Sequence, residues 1–391
     1  MSPGALRIGR IFGIEVRLHP SWVVIFLLVT VQLAIIGAPN GQAQLPPVLR
    51  VILAAVVAAL FFASVLAHEL GHALVARRCG VQVDEILLFV FGGSARLEQE
   101  APSPRVELVI GLAGPIVNLV LGVVCLVPWV LVATSVTDDT ASDVVIAIGT
   151  LAFWVGVSNL VLAVINLLPA FPLDGGRILR ALAWAVTRDF VRATRIASVV
   201  GRVMGWSLVG AGIVAAVGYD VLVGLWIILI GWFLGQAAEG GYRRVAVERL
   251  VKGLRVSDVM LRDYPVVTQN LTLDTLEQQT DLADALYFPV VLDGNLAGAV
   301  DLKSIRRIPR GRRATTRVAD VMRHVEALAT VHELDPLWDA VLRFDASQVD
   351  GLPVVDPSDP RHLIGLVTRD SVFKTLRLRR KAEAAGAAAD G

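Results

Sequence analysis

The feature that most constrains this chain is a series of six apolar segments, all of which lie before Ala238. A helix that crosses a bilayer needs roughly 17–25 mostly apolar residues. Six stretches meet this requirement: 21–37, 51–77, 106–134, 144–168, 198–218 and 221–236. The chain is 55% hydrophobic and only 18% charged, against about 45–50% and about 25% in soluble proteins. A wholly soluble enzyme and a disordered chain are therefore excluded.

Arginine placement predicts which way these segments face. Arginines cluster before the first segment, between the second and third, between the fourth and fifth, and after the sixth. The alternate loops are poor in cations, and the loop after the third segment carries Asp138 and Asp139. Because cytoplasmic loops are enriched in Lys and Arg, we expect both termini to be cytoplasmic in a multi-pass protein of the cell (plasma) membrane.

The second segment contains His68-Glu69-Leu70-Gly71-His72, an H-E-x-x-H sequence. On a helix, positions i and i+4 share a face, so both imidazoles can reach one ion while Glu69 stays nearby as a base. Zinc suits these nitrogen ligands, and a catalytic zinc has three protein ligands. A chance match is disfavoured because ionisable groups at membrane depth are costly and usually functional.

Asp174 is the best candidate for the third ligand. His68 lies about 17 residues into its span, roughly 26 Å at 1.5 Å per residue, near the cytoplasmic edge of a core about 30 Å thick. The fourth segment runs in the same direction and delivers Asp174 to that edge. Prolines and glycines break the helix there, and unpaired backbone at this depth requires protein or a watery cavity beside it. The alternative role for Asp174 is a capping carboxylate ahead of Gly175-Gly176.

These paired motifs resemble those of the site-2 protease family of intramembrane zinc metalloproteases. The family's second motif appears as Asn-x-x-Pro-x-x-Pro-Leu-Asp-Gly-Gly at 166–176. The resemblance implies a core of three helices and one Zn²⁺ per chain, held by His68, His72 and Asp174, with Glu69 as the base. It also implies cleavage of a membrane-protein substrate, such as an anti-sigma factor, in regulated intramembrane proteolysis within the lipid bilayer.

Three further elements of this half have two interpretations each. The amides of Asn118, in a Gly-Pro-x-x-Asn sequence, and Asn166 suit either substrate binding or hydrogen bonding between helices. The apolar run 86–97 turns at Gly92-Gly93, which predicts a re-entrant hairpin whose edge pairs with an unwound substrate or a surface hairpin resting on the bilayer. His19 precedes the first segment and is expected to be a residue of the helix start rather than a ligand.

The rest of the chain contains an internal repeat. The motif at 254–260 recurs at 316–322, and Pro-Val-Val at 289–291 recurs at 353–355. These copies resemble a tandem CBS-domain pair, which implies a cytosolic α/β domain that binds adenine nucleotides or mediates homodimerisation. Thr368 and Ser371 occupy the ribose-contacting positions, but Ser371 replaces the usual Asp, so a purely structural or dimerising role is at least as well supported.

The predicted fold is thus a polytopic α-helical membrane protein with about six transmembrane helices, followed by a cytosolic CBS pair. The predicted boundaries are a protease domain at 1–242, a linker at 243–253, CBS copies at 254–310 and 316–378, and a disordered tail at 379–391. The competing hypothesis is a CBS-regulated transporter or channel in which His68, His72 and Asp174 bind a transported cation. No nucleic-acid partner is expected.

Overall fold

The computed structural model describes residues 5–36, 46–89, 92–97, 100–135, 143–279 and 286–389. The chain divides into two compact units, Met1–Arg244 and Val245–Gly391.

The first unit is built mainly from helices. They are α1 (Ser21–Ile36), α2 (Pro47–Arg78), α3 (Pro104–Ser135), α4 (Asp143–Leu167), α5 (Asp174–Thr187), α6 (Phe190–Gly218) and α7 (Val221–Val251), the last of which continues past the boundary of the unit. Within the described part of the chain, α2, α3, α4, α6 and α7 are long and apolar enough to cross a membrane. The multi-pass architecture is confirmed.

Several helices differ in their bounds from the predicted segments, and α7, for example, continues to Val251, well beyond the predicted end at residue 236. Helix α1 has 16 residues, about 24 Å at 1.5 Å per residue, which is shorter than the hydrocarbon core. Helix α6 begins at Phe190 rather than at Ser198, because Asp189 caps it by accepting hydrogen bonds from the backbone N–H groups of Val191 and Arg192.

The outer faces of the long helices expose large apolar side chains. On α3, Val120, Val124, Val127 and Leu131 are each at least half exposed and follow one another at helical spacing. Soluble monomers rarely expose contiguous apolar surfaces of this kind. We conclude that this stripe faces lipid.

Helices α2, α3 and α4 pack against one another and form the predicted three-helix core. Small residues allow their backbones to approach closely, as is common between membrane helices. A β-carbon at Gly71 of α2 would lie 3.2 Å from the carbonyl oxygen of Ala113 on α3. A β-carbon at Gly156 of α4 would lie 2.7 Å from Leu126 Cγ of α3.

A four-stranded sheet accompanies these helices. Its strands β1 (Leu6–Ile11), β2 (Ile14–Leu18), β3 (Val83–Phe89) and β4 (Gly92–Leu97) are ordered β1-β2-β3-β4. Only β2 and β3 are parallel, while the two flanking pairs are antiparallel. The predicted hairpin is present, since β3 and β4 pair antiparallel, and Gly92 and Gly93 begin β4. Residues 90–91 lie outside the described residues. His19 accepts a hydrogen bond from the backbone N–H of Ser21 at the start of α1, as expected.

The second unit has the α/β composition that the repeat predicts. Its strands are β5 (Val267–Thr268), β6 (Tyr287–Leu292), β7 (Asn295–Asp301), β8 (Arg323–His324), β9 (Gly351–Asp356) and β10 (Asp359–Thr368), arranged as sheets β5-β6-β7-β8 and β10-β9. Its helices are α8 (Leu273–Gln279), α9 (Leu302–Arg307), α10 (Arg310–Arg313), α11 (Leu337–Ser347) and α12 (Arg369–Ala389).

The two repeats exchange their first segments. The backbone N–H of Arg255 donates to Asp258 Oδ2, and that of Arg317 donates to Asp320 Oδ2, both at 2.8 Å, so the repeated motif forms the same turn twice. However, Val256, at the start of the first copy, packs in the hydrophobic core formed by the second copy. Val318, at the start of the second copy, packs in the core of the first. Each copy is completed by the other.

Two terminal segments of this half are helical where the sequence predicts a linker and disorder. Helix α7 covers most of 243–253 and ends at Val251, which is buried in a core cluster with Val256. Helix α12 runs through Ala389, so the tail 379–391 is helical over most of its length. The tail is rich in alanine, the residue of highest helix propensity, which accounts for this helix.

Candidate metal centre and active site

His68 and His72 lie on one face of α2 and point to one place. Both are buried, with 5% and 3% of their surface exposed, and their Nε2 atoms are 3.1 Å apart. A helical spacing of four residues brings side chains together in this way. The sequence-predicted pairing of these imidazoles is present in the structure.

Asp174 reaches the same place from α5. Its Oδ2 atom lies 3.0 Å from His68 Nε2 and 3.1 Å from His72 Nε2. Asp174 opens α5 directly after a tight loop, which contains a cis peptide bond between Phe171 and Pro172. A β-carbon at Gly176 would lie 2.6 Å from the carbonyl carbon of Ala170, so glycine is needed for this loop to fold back on the helix.

The partners of the two imidazoles show that these atoms suit a cation. His72 Nδ1 lies 2.6 Å from the carbonyl oxygen of Ile110, which can only accept, so Nδ1 carries the proton and Nε2 presents a lone pair. His68 Nδ1 lies 3.2 Å from Asn118 Oδ1 and is held in the same tautomer. Among the described residues, the buried Asp174 Oδ2 has no hydrogen-bond partner. Three buried electron-pair donors this close repel one another unless a cation lies between them.

The chemistry of this donor set fits zinc. Two imidazole nitrogens and one carboxylate oxygen make a three-ligand site of the catalytic type, and metal-bound His residues ordinarily donate their other ring N–H to an oxygen. The three residues form the one cluster of potential metal ligands found in the described part of the chain. His68, His72 and Asp174 are therefore the residues that can hold the ion.

Glu69 lies beside this cluster. Its Oε2 accepts a hydrogen bond from the backbone N–H of Ala95 on β4 at 3.1 Å. A β-carbon at Gly93 would lie 3.0 Å from Glu69 Oε1, so the absence of a side chain there leaves room for the carboxylate. Strand β4 thus fixes the position of Glu69 while its carboxylate still faces the cavity.

Gly114 on α3 makes room for the two imidazoles. A β-carbon at this position would lie 2.6 Å from His68 Nε2 and would also contact His72 Nε2. The Gly-Pro-x-x-Asn sequence therefore serves the metal cluster twice, through the space at Gly114 and through the hydrogen bond of Asn118.

A cavity of about 410 Å³ contains these groups. Its polar wall includes His68, Glu69, His72, Asn166, Asp174 and Arg177, and its apolar wall includes Ile25, Val29, Phe61, Phe62, Val65 and Leu162. Sequence analysis missed Arg177 and the apolar wall. Arg177 could have been predicted as a cavity residue, because it directly follows Asp174-Gly-Gly in the sequence. The apolar residues are indistinguishable in sequence from those that face lipid.

The structure places the remaining sequence-predicted residues in different surroundings. Asn166, Gly92 and Gly93 line the cavity. Asn118 is fully buried and hydrogen-bonds His68, so its position matches the interhelical alternative and not substrate contact.

In the second unit, the backbone N–H of Ser371 donates to Thr368 Oγ1 at 3.0 Å and that of Thr368 donates to Ser371 Oγ at 3.2 Å. This reciprocal pair closes the start of α12.

Comparisons with known proteins agree with this geometry. The model of peptidase family M50 matches residues 56–208, and the CBS domain model matches residues 318–378. A Synechocystis protein that carries the name of a zinc metalloprotease is 30% identical over 95% of both chains. Rip3 of Mycobacterium tuberculosis, which is also named as a zinc metalloprotease, is 32% identical over 97% of this chain and 94% of its own.

A curated sequence and a solved structure from Methanocaldococcus jannaschii are also similar. A zinc metalloprotease is 30% identical over 78% of this chain and 80% of its own. A solved site-2 protease structure is 31% identical, with a TM-score of 0.41, and covers 61% of this chain and 95% of that one. The identity and coverage of the metalloprotease relatives decide the assignment. This multi-pass membrane protein belongs to peptidase family M50, the site-2 protease family of intramembrane zinc metalloproteases, and carries a C-terminal CBS domain.

Proposed function

We propose that the chain hydrolyses peptide bonds within or near transmembrane segments, with His68, His72 and Asp174 as zinc ligands and Glu69 as the general base. One observation carries this assignment: three buried donor atoms lie within 3.1 Å of one another beside the carboxylate of Glu69. When bound, zinc acts as a Lewis acid that polarises the scissile carbonyl and acidifies water. Glu69 accepts the proton of the attacking water and delivers it to the leaving amine nitrogen.

The substrate binds as an unwound strand in this proposal. Strand β4 is at the end of its sheet order, and its first residues line the cavity beside Glu69. An extended peptide added to this edge would satisfy its backbone polar groups, which a membrane environment otherwise leaves unpaired. The Asn166 amide lies in the same cavity and supplies a further hydrogen bond to the substrate backbone.

The substrate class we propose is a membrane-anchored regulator such as an anti-sigma factor, cut near the cytosolic end of its span. The arginine distribution supports cytoplasmic termini and a location in the cell membrane, because α2 then brings His68 to the cytoplasmic side. Protease digestion of intact spheroplasts and of inverted vesicles tests this orientation: the CBS pair should be cleaved only in the vesicles.

For the CBS copies at 254–310 and 316–378 we propose dimerisation rather than nucleotide binding. The hydroxyls of Thr368 and Ser371 are engaged with each other's backbone, and Ser371 lacks the carboxylate that would contact a ribose. Light scattering of the detergent-solubilised protein should give the mass of two chains. Saturable binding of AMP or ATP, measured by calorimetry, would contradict the proposal that the CBS copies dimerise rather than bind nucleotide.

Removal of zinc tests the enzymatic proposal. We expect the purified protein, reconstituted in nanodiscs, to cleave a labelled single-span peptide, and 1,10-phenanthroline to abolish the cleavage. Added Zn²⁺ should restore it, whereas added Mg²⁺ should not, because the donor set of two imidazoles and one carboxylate selects zinc. Cleavage that survives complete zinc removal would contradict the zinc mechanism, whereas zinc uptake into proteoliposomes without any cleavage would favour the transporter hypothesis.

A further inference from the structure

A buried ion pair joins α3 to α5 close to the metal cluster. Arg180 Nε donates to Glu107 Oε1 at 2.6 Å, and a terminal guanidinium nitrogen of Arg180 contacts the same oxygen. Glu107 is fully buried and Arg180 is 9% exposed. Burying two charges costs nearly as much free energy as their attraction returns, so such a pair contributes little net stability. Its presence calls for another explanation.

Arg180 also contacts the two segments that flank α5. Its guanidinium carbon lies 5.3 Å from the ring centroid of Phe171, in the loop before Asp174, and 4.6 Å from that of Phe190, the first residue of α6. The guanidinium plane is directional in both its hydrogen bonds and its stacking. One side chain thus fixes α5 relative to three neighbours.

The ion pair acts on elements that carry the metal cluster. Glu107 precedes Ile110 by about one helical turn, and the Ile110 carbonyl accepts from His72 Nδ1. On α5, Arg180 is in the same 14-residue helix that Asp174 begins. Contact between the two helices is close, since a β-carbon at Gly111 would lie 3.2 Å from Ile178 Cγ1 of α5.

We propose that Glu107 and Arg180 are positioning residues for the zinc site: their ion pair holds α5 on α3 so that Asp174 meets the two imidazoles. This inference rests on the ligand set proposed above. Apolar side chains would fill the same space, but their attraction is not directional and would allow α5 to slide along α3. A carboxylate–guanidinium pair fixes the register of the two helices.

The test replaces the pair by apolar residues of similar length, Glu107→Met with Arg180→Met, so that no unpaired charge remains in the interior. The matched control is Glu239→Met with Arg243→Met, which removes an exposed ion pair of α7. The zinc dissociation constant is measured by chelator competition, the Co²⁺-substituted absorption spectrum reports ligand geometry, and the melting temperature of the metal-free protein reports the fold.

We expect the Glu107/Arg180 double variant to keep its metal-free melting temperature and to show an altered Co²⁺ spectrum. It should bind zinc about 10- to 100-fold more weakly, which is the typical loss when a supporting partner of a ligand is removed. The control should bind like wild type. Equal zinc affinity in the double variant and wild type would overturn the proposal. If the double variant does not fold, Arg180→Lys is the second variant, because it keeps the charge and loses the planar guanidinium. It should bind zinc more weakly than wild type, and wild-type zinc affinity would overturn the proposal. Asp174→Ala distinguishes a failure of the positioning proposal from a failure of the proposed ligand set. Zinc binding at wild-type affinity in that variant would mean that the ligand set itself is wrong.

Discussion

Replacing Glu69 with Gln is expected to slow proteolysis by about 10²–10⁴-fold, the usual contribution of a general base, while zinc binding stays at the wild-type level. This loss corresponds to roughly 3–5.5 kcal/mol of transition-state stabilisation. Gln has nearly the same shape as Glu, and its amide oxygen can still accept the hydrogen bond from the backbone N–H of Ala95. It cannot accept a proton from the attacking water at neutral pH.

The measurement is single-turnover cleavage of a single-span peptide by protein loaded with zinc. Glu239→Gln is the matched control, because Glu239 makes an exposed i,i+4 ion pair on α7 and should leave the rate unchanged. The result would contradict the assigned role if Glu69→Gln cleaved at the wild-type rate. Loss of zinc from this variant would contradict it as well, since Glu69 would then act as a ligand.

The metal cluster was largely predictable from the sequence because membrane depth is nearly one-dimensional. Two helices that run in the same direction deliver residues at equal distances along the chain to equal depths, and this placed Asp174 near His68 before any contact was known. Helical periodicity paired His68 with His72 for the same reason. The observed distances of 3.0 and 3.1 Å confirm this proximity.

The surroundings of the cluster depend on how the helices rotate and pack, which no periodicity reveals. Asn118 suited two roles, and only the packing of α3 against α2 places its amide on His68. Gly114 carries no recognisable role in the sequence, because the space that its missing β-carbon leaves for the imidazoles depends on the packing of α3 against α2. The Glu107–Arg180 pair cannot be recognised in the sequence, because arginines in a loop between two apolar segments are ordinarily interpreted as orientation signals.

In the second unit, the repeat predicted the strands and helices but not the packing. Sequence similarity identifies copies that are contiguous in the chain, whereas burial groups residues by contact. Val256 and Val318 each complete the core that contains mainly the other copy. If either copy were expressed alone, its core would lack the segment that the other copy contributes. The boundaries of the copies in the sequence do not reveal this exchange.

Replacing Asp174 with Ala is expected to weaken zinc binding by at least about 100-fold, beyond the loss typical for a supporting residue, and to abolish proteolysis with it. The change leaves two imidazoles, which is one ligand short of a catalytic zinc site. It should not unfold the protein. Asp174 stabilises the start of α5 through the helix dipole by at most about 2 kcal/mol, and its Oδ2 lies against the imidazoles of His68 and His72, which the change leaves in place on α2.

Zinc content after gel filtration and chelator competition measures the effect. Asp84→Ala, which removes an exposed carboxylate of β3, is the matched control and should retain about one zinc per chain. Asp174→Asn should lie between the two, because its amide oxygen can still reach the ion but carries no charge to offset the dication. Zinc retention by Asp174→Ala equal to that of Asp84→Ala would leave Asp174 as a capping carboxylate and would require the third ligand to come from another residue.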